Sequence, residues 1–196
     1  RFSAIANLNG ASSASTTFAN SVTPTAFTVT YDANGSGASV SKTTEVFTTG
    51  TPLLPPLPTR SGFNFTGWFS QASGGNLITA SGVNYNPASS LTLYAQWTGI
   101  TYSIIYNGNG QTGGSVPATG SYVNGSGTAY TILGNTGSLI KTGYTFTSWV
   151  DGAGNTKSGD YNTAADLALF AKWEPVQYTI TYNNNGGTGD PTETSK

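Results

Sequence analysis

Apolar and polar residues alternate with a period of two along several stretches of the chain, which is the pattern of β-strands with one buried face. The clearest case is Leu91-Thr-Leu-Tyr-Ala-Gln-Trp97, and Leu167-Ala-Leu-Phe-Ala-Lys-Trp173 repeats its parity. No stretch has the period of a long amphipathic helix, and at most one short helical turn is expected around residues 87–90 or 163–168. The pattern therefore predicts a mainly β fold, α+β at most.

A second motif, rich in aromatic residues, also occurs twice. Its copies are Gly62-Phe-Asn-Phe-Thr-Gly-Trp68 and Gly143-Tyr-Thr-Phe-Thr-Ser-Trp149. Simple alternation places Phe63 and Phe65 on one face of a strand and Trp68 on the other. We therefore expect either a bulge near Gly67 that rotates the tryptophan or a tryptophan that covers the second face of the sheet.

A third motif precedes each pair of the other two. It reads Phe27-Thr-Val-Thr-Tyr-Asp-Ala-Asn-Gly35, then Tyr102-Ser-Ile-Ile-Tyr-Asn-Gly-Asn-Gly110, and returns as Tyr178-Thr-Ile-Thr-Tyr-Asn-Asn-Asn-Gly186. The alternating half predicts a strand, and Asn-Gly is the usual sequence of a tight hairpin turn. In the first copy the returning antiparallel strand is expected within residues 40–49, which are rich in β-branched side chains.

The three motifs together define a tandem repeat. Their starts at Phe27, Tyr102 and Tyr178 are 75 and 76 residues apart. This predicts two complete domains, residues 27–97 (unit 1) and 102–173 (unit 2), and an incomplete third at 178–196, while residues 1–26 remain unassigned or end a preceding domain. Only four residues separate each complete unit from the next start, so we expect a semi-rigid rod.

The incomplete third repeat raises a question of stability. A strand presenting Tyr178, Ile180 and Tyr182 is not stable alone. We expect it to be held by the edge of the neighbouring unit, by residues 1–26, or by a second chain through strand addition. The last alternative would make the molecule a filament subunit.

The segment Thr51-Pro-Leu-Leu-Pro-Pro-Leu-Pro-Thr59 holds four prolines. Proline has no backbone N–H to donate to a β-ladder, and it disrupts a helix. We therefore expect an extended segment that crosses the core with its leucines packed on it. A ligand for a proline-binding domain is the alternative. Unit 2 replaces the segment with the proline-free stretch at residues 128–135, which favours the structural interpretation.

Charge and composition exclude several classes of function. Charged residues make up 8% of the 196 residues, the net charge is −1, and seven Lys and Arg are scattered along the chain, so neither nucleic-acid binding nor membrane insertion is expected. The lack of Cys, Met and His removes disulfides, most zinc and haem sites and histidine proton transfer. This composition suits a secreted bacterial surface protein, and the start at Arg1 without a signal-peptide pattern predicts a processed product or a fragment.

Carboxylates are the remaining candidates for catalysis, but none of the eight recurs at an equivalent position in both units. Four of them fall in or beside turns, where Asp is favoured for hydrogen bonding to the backbone: Asp32, Asp151, Asp160 and Asp166. The run from Asp151 to Asp160 has calcium-loop character but departs from the EF-hand pattern. Lys42 and Glu45 are the nearby candidates for an isopeptide bond. We assign no catalytic, cofactor-binding or metal-binding residue, and predict no cofactor and no enzyme activity.

The repeated aromatic and aliphatic residues are instead expected to form the structural core of each unit. The predicted core residues are Phe63, Phe65, Trp68, Leu91, Leu93, Trp97, Tyr144, Phe146, Trp149, Leu167, Leu169 and Trp173. The alternative is that some of the rings form exposed stacking platforms for sugars, as in a carbohydrate-binding module.

As a set, the three motifs resemble the Listeria/Bacteroides repeat family, which includes the internalin B-repeats. The resemblance covers Phe27–Trp97 and Tyr102–Trp173, and it begins again at Tyr178; Ser148 and the proline-rich segment depart from the usual pattern. It implies small β-grasp-like domains in tandem in bacterial cell-surface or secreted proteins, with no catalytic residues to carry over.

These inferences predict a non-catalytic structural or adhesive stalk segment, extracellular and located on the bacterial surface or secreted. The expected partners are other proteins or surface glycans, with end-to-end self-association as a further mode. The alternatives are a filament subunit assembled by strand addition, a carbohydrate-binding module and a hydrolase that uses only carboxylates.

Overall fold

The computed structural model describes residues 25–183 and 185–188. In these two ranges the regular elements are β-strands, with no helix, so the short helical turns that the sequence allowed do not form there. Accordingly, none of the described segments is a helix with the length and hydropathy needed to cross a membrane. The unassigned leading segment, apart from its last two residues, and residues 189–196 lie outside the described ranges.

Unit 1 contains a five-stranded mixed sheet. Its strands are β1 (Ala26–Asp32), β2 (Thr44–Thr48), β3 (Phe63–Phe69), β4 (Leu77–Thr79) and β5 (Leu91–Gly99). The strand order is β2-β1-β5-β3-β4, with the first and last strands of the unit, β1 and β5, parallel at the centre and the other neighbours antiparallel.

Unit 2 repeats this arrangement. Its strands are β6 (Thr101–Asn107), β7 (Gly120–Val123), β8 (Tyr130–Ile132), β9 (Tyr144–Val150), β10 (Thr156–Lys157), β11 (Gly159–Tyr161) and β12 (Leu167–Pro175). The main sheet has the order β10-β9-β12-β6-β7, again with a parallel central pair, and β8 and β11 form a separate two-stranded ribbon. Two tandem sheets confirm the prediction of mainly β domains.

A β-bulge in the strand that carries the aromatic motif, β3 in unit 1 and β9 in unit 2, determines the direction of the Trp68 and Trp149 side chains. The register against the last strand shifts between Phe65 and Gly67 in unit 1 and between Lys172 and Trp173 in unit 2. The extra residue brings Phe65 and Trp68 onto one face, with ring centroids 5.5 Å apart, and the equivalent rings of unit 2 are 5.2 Å apart. The bulge alternative is therefore confirmed.

Each unit has its own core beneath this face. Trp68 is 1% exposed and Trp149 3% exposed, and Leu93 and Leu169 of the last strands are fully buried beside them. All of the predicted core residues except Phe63 and Tyr144 belong to, or pack against, these two clusters.

The Asn34-Gly35 turn differs from the prediction. Asn34 has a positive φ of 48°, but β1 ends at Asp32 and β2 begins only at Thr44, so the turn opens a long loop. The Asn34 side-chain amide donates a 2.7 Å hydrogen bond to the carbonyl of Ala95 in β5. The turn is therefore fastened across the sheet, and the predicted tight hairpin is wrong.

The proline-rich segment crosses the core as expected, but only one of its three leucines is buried. Leu53 is inside, whereas Leu54 and Leu57 are exposed because the extended chain turns Pro55 and Pro58 inward instead. Burial of these prolines disfavours a free ligand for a proline-binding domain. The segment also supplies an acceptor to the core, since the Trp68 indole N–H donates to the carbonyl of Pro56 at 3.2 Å.

Residues 178–183 form no strand, contrary to the prediction for the third repeat. Tyr178, Ile180 and Tyr182 are 80%, 67% and 59% exposed. The strand needs a partner to stabilise it, and no pairing of these residues occurs within the described ranges. The turn that follows nevertheless forms locally, because the amide of Asn185 donates to the side chain of Asn183 at 2.8 Å.

The two core tryptophans provide a matched test of the crossing segment. The buried Nε1 of Trp149 has no acceptor among the described residues, whereas that of Trp68 has Pro56. Trp68→Phe should therefore cost about 1 to 2 kcal/mol more than Trp149→Phe, because it alone breaks a hydrogen bond and leaves a partly buried carbonyl without its donor. Exchange of the slowest amides in β5 and β12 measures the stability of each unit. Equal costs would contradict the role given to the Pro56 carbonyl.

Candidate inter-repeat interface

The connection between the two units is a single residue, Ile100. The last strand of unit 1 ends at Gly99 and the first strand of unit 2 begins at Thr101, so the four-residue linker expected from the motifs is mostly strand. The Ile100 amide donates to the carbonyl of Gly62 at 3.0 Å, and its own carbonyl accepts the amide of Asn124 at 3.0 Å. The linker residue is therefore hydrogen-bonded to both units.

Asn124 adds a direct bond between the units. It follows β7, in the turn after the second strand of unit 2, and its side-chain Nδ2 donates to the same Gly62 carbonyl at 3.1 Å. Gly62 is buried, and Asn124 is half-buried. A buried carbonyl oxygen can accept two hydrogen bonds, and here both of its donors come from residues after unit 1.

The next residue of the turn packs against Phe63, the first aromatic residue of β3 in unit 1. A Cβ placed on Gly125 would lie 2.6 Å from Cζ of Phe63, closer than side chains approach, and the φ of Gly125 is +76°. The turn can approach Phe63 closely because this position has no side chain. We call the contacts of Gly62 and Phe63 with Ile100, Asn124 and Gly125 the inter-repeat joint.

A basic residue lies against the aromatic ring in both units. The Arg60 guanidinium is 3.8 Å from the centre of the Phe63 ring, and the Lys141 ammonium is 4.7 Å from that of Tyr144. These are cation–π geometries. The prediction that Phe63 and Tyr144 are core residues is therefore wrong: they begin their strands outside the core clusters, and Tyr144 is 42% exposed.

The partly buried tryptophans of the last strands fasten the turns that follow the first strands. The Trp97 indole N–H lies 2.9 Å from the carbonyl oxygen of Ala33 and 3.0 Å from that of Asn34, and the Trp173 indole N–H donates to Gly108 at 3.0 Å. Their polar edges are thus engaged within the fold. This favours a structural role for these rings over a sugar platform.

The candidate carboxylates accept hydrogen bonds from their own surroundings. Asp32, Asp160 and Asp166 accept from the Asn34 amide, the Thr131 hydroxyl and the Ser103 amide, respectively. Within residues 25–183 and 185–188, no three acidic, His or Cys residues form a group that could hold a metal ion. Asp32 and Asp166 lie beside turns, as the sequence indicated, whereas Asp160 lies within β11.

Asp151 closes the turn that suggested a calcium loop. Its carboxylate accepts from the Asn155 amide at 2.9 Å and from the Ala153 amide at 3.0 Å, and it pairs with Lys157 at 3.1 Å. The backbone hydrogen bond from Asn155 is the main cause that lowers the pKa of Asp151 to about 2, with smaller contributions from the Asn155 side chain and from Lys157. The carboxylate oxygens are thus turned toward donors of the chain itself.

Lys42 and Glu45, the isopeptide candidates, form a surface ion pair. Their charged atoms are 2.9 Å apart, and about half of the Lys42 side chain is exposed. The Glu45 carboxylate also accepts a 3.2 Å hydrogen bond from the hydroxyl of Tyr31. An isopeptide bond requires burial beside Asn or Asp, and the exposed pair does not provide that setting.

The residues of the joint were not found from the sequence. No motif singled out Asn124, and Ile100 was only one of the four residues between the two units. A comparison of the units contains a weak signal, because the equivalent turn of unit 1 carries Thr49 and Gly50. The difference between Thr49 and Asn124 can be interpreted only from the structure, in which Asn124 contacts the neighbouring unit.

Comparison with protein families gives two matches within the chain. The Listeria-Bacteroides repeat domain matches residues 27–96 and residues 102–172. Both matched ranges contain the parallel central pair of strands and the aromatic strand.

Similar proteins are found in two bacteria. A protein named as a Gly-rich membrane protein of Evansella cellulosilytica is 29% identical over 187 residues, covering 83% of this chain and 20% of that protein. Internalin H of Listeria monocytogenes is 30% identical over 173 residues, covering 85% of this chain and 27% of that protein. The chain therefore spans only a fraction of the length of these relatives. No solved structure matches it.

Glycines at the same turn position of the two units provide a test of the joint. Gly125 and Gly50 both have positive φ, but a Cβ on Gly50 would meet nothing within 4 Å. Gly125→Ala should speed hydrogen exchange of the Ile100 amide about tenfold, since overpacking typically costs 1 to 3 kcal/mol, whereas Gly50→Ala carries the same backbone strain and should leave that amide unchanged. Unaltered Ile100 exchange in Gly125→Ala would show that the contact with Phe63 is not needed.

Proposed function

The chain belongs to the Listeria-Bacteroides repeat family, and we propose that it is a non-catalytic stalk segment of a bacterial cell-surface or secreted protein. The observation that carries the proposal is the inter-repeat joint. Ile100, Asn124 and the Gly62 carbonyl make three hydrogen bonds across a one-residue connection. A connection of this kind suits a spacer that holds successive domains in a fixed direction.

The similarity to Internalin H and to a Gly-rich membrane protein supports the proposed location outside the cell. The composition agrees with it, since a chain without Cys, Met or His resists oxidation. The low charge of 8% also fits an extended surface segment that does not bind polyanions.

The proposal of a non-catalytic role rests on how the polar groups are used. The carboxylates of Asp32, Asp151, Asp160 and Asp166 accept hydrogen bonds within the fold. A glycosidase needs two carboxyl groups facing each other across a cleft at roughly 5 to 10 Å. The structural use of these acids supports a spacer rather than a hydrolase.

We also propose that each unit is a β-grasp variant. The parallel pairing of its first and last strands at the centre of a mixed sheet supports this assignment. The extended segment that crosses the core of unit 1 takes the place in which a crossing helix would otherwise cover the sheet. Its buried residues include Leu53, Pro55 and Pro58.

Small-angle scattering of the full chain tests the stalk proposal. A compact globule of 196 residues would have a radius of gyration of about 16 Å. We expect a larger value and a pair-distance distribution with one maximum for distances within a unit and a shoulder for distances between units. A single symmetric distribution near the compact value would contradict the proposal.

A glycan array read by tryptophan fluorescence separates the stalk from a carbohydrate-binding module. The burial of Trp68 and Trp149, and the hydrogen bonds of Trp97 and Trp173, predict no spectral response to any sugar. A saturable shift in fluorescence that is lost in Trp97→Ala would favour the binding module instead.

A further inference from the structure

Unit 2 carries a second copy of the surface on which the joint of unit 1 is built. Gly143 and Tyr144 are the equivalents of Gly62 and Phe63, and Val176 is the equivalent of the linker residue Ile100. The Val176 amide donates to the Gly143 carbonyl at 2.9 Å, as the Ile100 amide donates to the Gly62 carbonyl at 3.0 Å. The first hydrogen bond of a second joint is therefore already formed.

The rest of this surface is open. Gly143 is exposed where Gly62 is buried, and a Cβ on Gly143 would meet nothing within 4 Å. Tyr144 is 42% exposed although Lys141 lies over its ring. The Gly143 carbonyl thus retains capacity for a second donor, and the tyrosine ring has room for a close neighbour.

We propose that the surface of Gly143, Tyr144 and Val176 is a docking site for the turn after the second strand of a following repeat of the same chain. The turn would bring an amide side chain to the Gly143 carbonyl and a glycine to the Tyr144 ring. This inference rests on the proposed role as a segment of a repeat array. It deepens that role by naming the surface through which the array continues.

The chain itself begins such a repeat directly after Val176. Tyr178-Thr-Ile-Thr-Tyr-Asn-Asn-Asn-Gly186 matches the opening motif of unit 2. The local turn is also the same, because the Asn185 amide donates to the Asn183 side chain at 2.8 Å and the Asn109 amide donates to the Asn107 side chain at 2.8 Å. The covalent connection therefore leads from the open surface into the opening motif of another repeat.

A second copy of this chain is a poorer occupant. The Asn124 turn of unit 2 is already engaged with unit 1. The corresponding turn of unit 1 presents Thr49 and Gly50, and threonine has no side-chain amide to reach the Gly143 carbonyl. End-to-end association of separate chains would also lack the short connection through Val176. A following repeat with an amide side chain at this turn position supplies both features.

The test is an extended chain in which residues 1–177 are followed by a second copy of residues 102–177. The appended copy carries Tyr144→Phe, so that only one Tyr144 remains, at the surface in question. Nitration by tetranitromethane, read by peptide mass, should modify Tyr144 readily in the original chain and several-fold more slowly in the extended one. The matched control adds Asn124→Ala to the appended copy alone and should restore much of the reactivity.

Equal nitration of Tyr144 in the original and extended chains would overturn the inference, as would protection that is unaffected by Asn124→Ala in the appended copy. Nitration at high concentration of the original chain, compared with dilute chain, detects association between copies, and protection there would assign the surface to a second chain. A two-unit scattering profile together with unprotected Tyr144 would reject the docking site while retaining the stalk. A compact profile would reject the stalk itself.

Discussion

The central position of the last strand is the constraint on which the rest of each unit depends. β5 lies between β1 and β3, so its inward residues Leu93 and Ala95 form the middle of the core and its outer end leaves the sheet beside Gly62. Because the strand that completes the core is also the strand that exits, the position of the next unit is coupled to the folding of the previous one. Unit 2 has the same arrangement through β12.

This coupling between the two units requires neither charge nor a disulfide. A flexible linker of several residues would allow adjacent domains to reorient. Here β5 and β6 are separated by Ile100 alone, and the Asn124 side chain bridges to the unit before it. The joint is polar at the Gly62 carbonyl and apolar at Phe63. It therefore combines directional hydrogen bonds with close packing.

The sequence was sufficient for features set by local pattern, and insufficient for those set by a neighbour. The strands of the three repeated motifs in the two complete units follow from alternation, and the bulge that turns Trp68 inward was one of the two alternatives that alternation left open. The prediction of a tight hairpin at Asn34 was wrong because the Asn34 side chain donates a hydrogen bond across the sheet to the carbonyl of Ala95. Tyr144 was assigned to the core because it is aromatic and lies in a repeated motif. The motif does not show that this residue begins β9, where its ring is partly exposed. The role of Asn124 depends on its hydrogen bond to Gly62 in the other unit. The sequence pattern within a single repeat gives no information about such a contact.

Whether the joint fixes the direction of one unit relative to the next can be measured as a distance between the units. The chain has no cysteine, so spin labels can be placed at Val46→Cys and Ser121→Cys, which are exposed equivalents on β2 and β7. Double electron–electron resonance between the two labels should give one narrow distance distribution, and Asn124→Ala should broaden that distribution. A broad distribution in the parent chain, or an unchanged narrow one in Asn124→Ala, would contradict the account.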